Sequence, residues 1–97
     1  MKKFVFLAVG YETPSEEIKD AWMNWFGSIR DHLVDSGNPF GPGMEITSDG
    51  VNKLSHDKGA IAGYTIINAE SMDEAVQIAK GCPIITSMRV YEAMVMS

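Results

Sequence analysis

The segment from Ala60 to Pro83, AIAGYTIINAESMDEAVQIAKGCP, constrains the fold more than any other stretch of the chain. Ile61 to Ile67 is β-branched, aromatic and small in composition, which suits a half-buried pleated surface, and Asn68 lets the backbone turn. Ser71 then predicts a helix start. Its hydroxyl can accept from the Glu74 amide while the Glu74 carboxylate reaches back to the Ser71 amide, a capping box that satisfies two orphaned donors. Met72, Ala75, Val76 and Ala79 share one face. Gly81 and Pro83 end the helix, because glycine accepts a left-handed stop and proline cannot continue the hydrogen-bond ladder.

The remaining elements arrange themselves around this strand and helix. Lys3 to Val9 is almost wholly apolar, as expected of a strand covered on both faces. Thr13 as N-cap, Pro14 at the first helical position and Glu16 closing a capping box predict a helix that runs to Ser36 and stops at Gly37. At about 100° per residue, Ile18, Trp22, Trp25, Ile29 and Leu33 form its apolar stripe. The turn formers NPFGPG precede a short strand at Met44 to Thr47 in a hairpin-like region, expected to pair with the strand of the opening segment. A polar run, Ser48 to Lys53, and a loop, Asn52 to Gly59, lie between them. Ser87 to Met96 reads as a long strand with no polar face. The order β-α-β-β-α-β describes one α+β domain over residues 1–97, a ferredoxin-like antiparallel sheet with two helices on one face.

That arrangement leaves the other sheet face bare although its strands are apolar on both sides. A lone copy would expose a larger hydrophobic patch than a monomer tolerates, so a homodimer packed sheet to sheet is expected. The length agrees, since 97 residues leave much surface uncovered. The single Cys82 cannot form an internal bridge, which excludes a disulfide scaffold and points to a reducing compartment. Phe4 to Val9 is too short to span a membrane and carries no cleavage pattern, so a cytoplasmic chain with no membrane partner is expected. A net charge of −5 with scattered lysine and arginine disfavours nucleic-acid binding.

The helix end LVDSGNPFGPG, then SDG, then GAIAGYTIINAESMDEAVQIAKGCP and a closing VYEAMVM strand resemble the YCII-related family, in the branch called DGPF-like. The similarity spans nearly the whole chain and implies a dimeric α/β barrel; on activity it is much less specific, because relatives resemble small-molecule lyases, isomerases or dehalogenating enzymes by fold alone. This chain departs from the family pattern twice. VNKLSHDKGA replaces the Asp-Gly-Pro-Phe loop before the third strand. The family's helix-borne histidine, paired there with an aspartate in a proposed catalytic dyad, is replaced by an aromatic residue near Phe26, although Asp35 matches the aspartate.

Among titratable residues His32 stands out, on the sheet-facing side of the predicted first helix with Asp35 one turn later. A carboxylate at that spacing can orient an imidazole and raise its basicity for acid or base work. The plainer reading is a histidine favoured near a helix C-terminus by the dipole. His56 and Asp57 lack a third ligand at metal-site spacing, so no metal and no cofactor are expected. Cys82 reads as a small buried residue rather than a nucleophile. Trp22, Trp25 and the methionines could line a cavity, but at helical and strand spacing core packing explains them better, with methionine filling irregular gaps or the dimer interface. Arg89 is odd in an apolar strand and needs Glu92, Asp35 or a bound anion as partner. Two functions follow. The favoured one is a small-molecule-binding or accessory module with a pocket between the first helix and the sheet, where Trp25, Tyr64 and Arg89 contact the ligand. The alternative is a lyase-like or isomerase-like enzyme using His32, oriented by Asp35, as general acid or base.

Overall fold

A computed structural model describes residues 1–96. Strand β1 (Lys2–Val9) lies inside a four-stranded sheet, flanked by β5 (Ile61–Ala69) and β6 (Ser87–Ala93), while β2 (Leu33–Asp35) lies outside β5. Every pairing is antiparallel, and the order β2-β5-β1-β6 is that of a ferredoxin-like sheet. Helices α1 (Glu16–Ser28) and α2 (Met72–Ala79) share one face of it. The α+β, ferredoxin-like expectation therefore holds.

The alternation of side chains along a strand sorts the sheet into two faces. On the helix side, Phe4 and Phe6 sit opposite Ile67 and Thr65, and Phe4, Phe6 and Ile67 are completely buried. Trp25, Ile29, Ala75, Ala79 and Cys82 close over them. Trp25 is 4% exposed, lies against Phe6 with ring centroids 6.0 Å apart, and donates its indole N–H to the Ile78 carbonyl, which ties α1 to α2. The other face carries Val5, Leu7, Tyr64, Ile66, Arg89 and Tyr91, in register across three strands, and no helix covers it.

The second helix forms as expected, with two differences. It ends at Ala79 with Lys80 as a right-handed cap, so Gly81 does not adopt the left-handed stop, and the capping box is shifted. The Ser71 hydroxyl accepts from the Glu74 amide, but the Glu74 carboxylate takes its bond from the Glu70 amide rather than that of Ser71. The first helix differs more. Ser15, not Thr13, is the N-cap, accepting from the Ile18 amide. The helix stops at Ser28 instead of Ser36: the Ile29 amide still bonds the Trp25 carbonyl, but the next step tightens, with the His32 amide bonding the Ile29 carbonyl three residues back. A 3-10 turn, Arg30–His32, follows, and Leu33–Asp35 becomes an edge strand on β5. Leu33 still packs against the core, from a strand rather than a helix.

This edge strand takes the place expected for Met44 to Thr47. Instead β3 (Met44–Thr47) pairs with β4 (Gly50–Lys53) in a separate hairpin whose residues are all exposed. Thr47 accepts from the Asp49 amide at the turn. The last strand ends at Ala93, short of the expected Met96. The molecule is a slab of 43 × 41 × 18 Å with a radius of gyration of 14.5 Å, against about 12.5 Å for a compact chain of this length.

Candidate functional site

The backbone after β2 brings the first site elements together. Asp35 ends β2, and its carboxylate accepts from the Gly37 amide at 2.8 Å, an Asx-type turn that reverses the chain. Gly37 has φ +80°, where a side chain would be strained, and an added Cβ would collide with the Tyr64 carbonyl. Pro39 then pairs with Gly63, and the Phe40 amide donates to the Ala62 carbonyl, so this segment continues the sheet edge that β2 began. Gly63 permits the approach, since a Cβ there would press on the Asn38 carbonyl at 3.2 Å. As a result Phe40 stacks on Tyr64, with centroids 5.6 Å apart at 24°. The Tyr64 hydroxyl donates to Asp35 at 3.3 Å.

Tyr64 lies opposite Leu7, and Leu7 lies opposite Arg89. The three form one row across β5, β1 and β6 on the uncovered face, with the outer Cα atoms about 10 Å apart at ordinary strand spacing. Arg89 points into a cavity of about 640 Å³ between this face, the hairpin and the loop before β5. Phe40, Glu45, Leu54, His56 and Ile61 line it with Arg89. His56 is fixed there by stacking on Tyr11 at a centroid distance of 3.8 Å. A smaller, apolar cavity of about 320 Å³ lies between α2 and β6, around Val76, Ile84 and Met88.

The structure thus joins Asp35, Tyr64 and Arg89 on one face and separates them from Trp25 and His32. Trp25 is core between α1 and the sheet and lines neither cavity, so the expected pocket between helix and sheet is filled by packing. The His32 Nδ1 lies 3.1 Å from the Asn68 carbonyl oxygen. A carbonyl only accepts, so Nδ1 carries the hydrogen and donates, at the position just before β2 begins. Asp35 spends its two oxygens on Gly37 and Tyr64, and no His32–Asp35 contact forms among the described residues. The aspartate orients a tyrosine, not the histidine.

Cys82 is buried in the core, and burial pushes its thiol up to about 11, with a backbone hydrogen bond partly opposing. That makes it a poor nucleophile at neutral pH. Among the described residues, no cluster of three or more His, Cys, Asp or Glu side chains could hold a metal, and no helix is long and apolar enough to cross a membrane.

Residues 4–96, nearly the full length, match the family model of the YCII-related domain. The chain belongs to the YCII-related family. A search of curated proteins finds no match. Within this YCII-related domain, sequence reading missed Phe40, His56 and the hairpin as parts of the site. The hairpin had a signal: Asp49-Gly50 lies between Ile46 and Val51, an Asp-Gly pair flanked by strand formers. His56 had none, because its stacking partner Tyr11 is remote in sequence.

Proposed function

We propose that this YCII-related chain is a homodimeric small-molecule-binding or accessory module. Its ligand seat is the cavity on the uncovered sheet face beside Arg89, and a second copy closes over that face. The observation that carries the reading is the open face itself. It has apolar side chains in register, Tyr91 54% exposed, and a cavity within the range of small-molecule sites. The surface area supports it. The chain exposes 6763 Å², roughly 1,300 Å² more than the about 5,500 Å² expected of a monomer of its mass. That excess exceeds the area one partner contributes to a standard interface. The hairpin supports it too, because two isolated strands are marginal in water and Met44, Ile46 and Val51 share one exposed side.

Light scattering at micromolar concentration tests the assembly, with a dimer as the expected mass. A monodisperse monomer would sink the reading. A catalytic version rests on one observation, the Tyr64 hydroxyl donating to Asp35, a pair that meets the cavity wall through Phe40, which stacks on Tyr64 and lines the cavity. If the seat turns substrate over, that phenol and carboxylate hold the proton rather than His32, and Tyr64→Phe abolishes turnover while His32→Asn leaves it intact.

A further inference from the structure

The geometry points to a monocarboxylate with a short apolar or aromatic body as the ligand class of this seat, with the Arg89 guanidinium as its anchor. The inference rests on the ligand-binding reading above and adds what is bound.

Among the described residues Arg89 forms no ion pair, although Glu45 lines the same cavity. The ion pairs among the described residues are Lys19–Glu16 and Lys58–Glu12. Glu92 stands three residues along β6, on the opposite face, where it pairs in register with the buried Phe4. Asp35 lies on β2 at the far edge, three strand intervals or about 14 Å away, and is held by Gly37 and Tyr64. Covering this face with a second copy would strip water from the guanidinium. A buried cation without a counter-charge is costly, and an arginine satisfies the need best through a bidentate carboxylate.

The rest of the cavity selects within the anions. Phe40, Leu54 and Ile61 present apolar surface suited to a hydrocarbon or ring, and His56 offers a second polar contact. Glu45 also lines the cavity, without an ion pair to Arg89. Its charge repels a second negative group, which favours a monoanion over a dicarboxylate or a phosphate dianion.

Titration of the isotope-labelled protein by heteronuclear NMR tests this with benzoate, neutral benzamide and phthalate as probes. Benzoate is expected to shift the Phe40 and Ile61 amides and the Arg89 Nε–H saturably. Benzamide and phthalate should each bind at least tenfold more weakly. Arg89→Gln should weaken benzoate at least tenfold while leaving benzamide unchanged, and Arg89→Lys, which keeps the charge but loses the fork, should fall between. The amide spectra of the variants report whether they remain folded. Equal binding of benzoate and benzamide, or undiminished benzoate binding by folded Arg89→Gln, would overturn the carboxylate assignment and leave the module reading standing. Saturable shifts from none of the three probes would overturn both.

Discussion

The two faces of the sheet are built from the same strands and neighbouring residues, yet they meet different fates. Phe6 is fully buried beneath Trp25, while Leu7, the next residue, looks out across the row that ends at Arg89. Composition does not distinguish them, since both are apolar. What distinguishes them is supply: two helices of thirteen and eight residues cover one face, and no helix among the described residues covers the other. The lesson is that an apolar run in a small α+β domain reports the need for cover without saying who provides it. On the helix side the provider is the chain itself. On the open side, polar residues interrupt the apolar ones: Tyr64 meets Asp35 at one edge, and Arg89 stands across the sheet.

Truncations at neighbouring residues sharpen this contrast most. Phe6→Ala should cost about 3–5 kcal/mol at any protein concentration, because it empties a closed core that cannot refill. Leu7→Ala should cost less, and its cost should grow with protein concentration if a second copy covers the face. Denaturant melts at two concentrations check both. A concentration-independent loss at Leu7 as large as that at Phe6 would mean the faces are equally closed within one chain.

Gly37→Ala comes next, at about 2–4 kcal/mol, since it adds left-handed strain and a collision with the Tyr64 carbonyl. The change should also shift Tyr64 and Phe40 resonances, whereas Gly41→Ala, in open space nearby, should leave both undisturbed. After that, Ile66→Asp on the open face should weaken self-association at least tenfold with little change in the secondary-structure spectrum. Ultracentrifugation reads the association directly. Unaltered assembly in Ile66→Asp would remove this face from the interface.

Much of the helix-covered face was legible in the chain. Lys3 to Val9, Ile61 to Ile67 and the Ser71 cap are local signals, and local chemistry decided them. The first helix was misread because Leu33 keeps the 3.6-residue stripe. That stripe records burial, and burial was achieved from an edge strand, where β5 offered an unpaired edge. A competing partner remote in sequence cannot be seen from the stripe alone. The site was half legible for the same reason. Arg89 stood out as a polar residue in an apolar strand, but the face it shares with Tyr64 follows from register. His32 and Asp35 looked paired only while both were placed on one helix.

The cap provides a smaller test on the closed side. Ser71→Ala should cost about 1 kcal/mol, because the Glu74 amide loses its acceptor. Glu74→Ala should cost less, since the Glu70 amide it leaves behind is exposed and can turn to water. A reversed ranking in thermal melts would place the helix start at Glu70.

The smallest effect is absent at neutral pH and concerns Cys82, the titratable residue of the closed core. Its thiol is raised from 9.0 to about 11 in the folded protein, chiefly by desolvation. Below about pH 9 both folded and unfolded chains hold the proton, so the stability is intact there. Between pH 9 and 11 the unfolded thiol ionises first and the folded one resists, so stability falls as pH rises, by about 1 kcal/mol near pH 10. Cys82→Ala should flatten that slope, after allowance for the tyrosines and lysines by comparing the two proteins at each pH. If Cys82→Ala retains the full slope, the thiol is reaching solvent, and the helix-covered face is less tightly closed than the burial of Phe4, Phe6 and Ile67 requires.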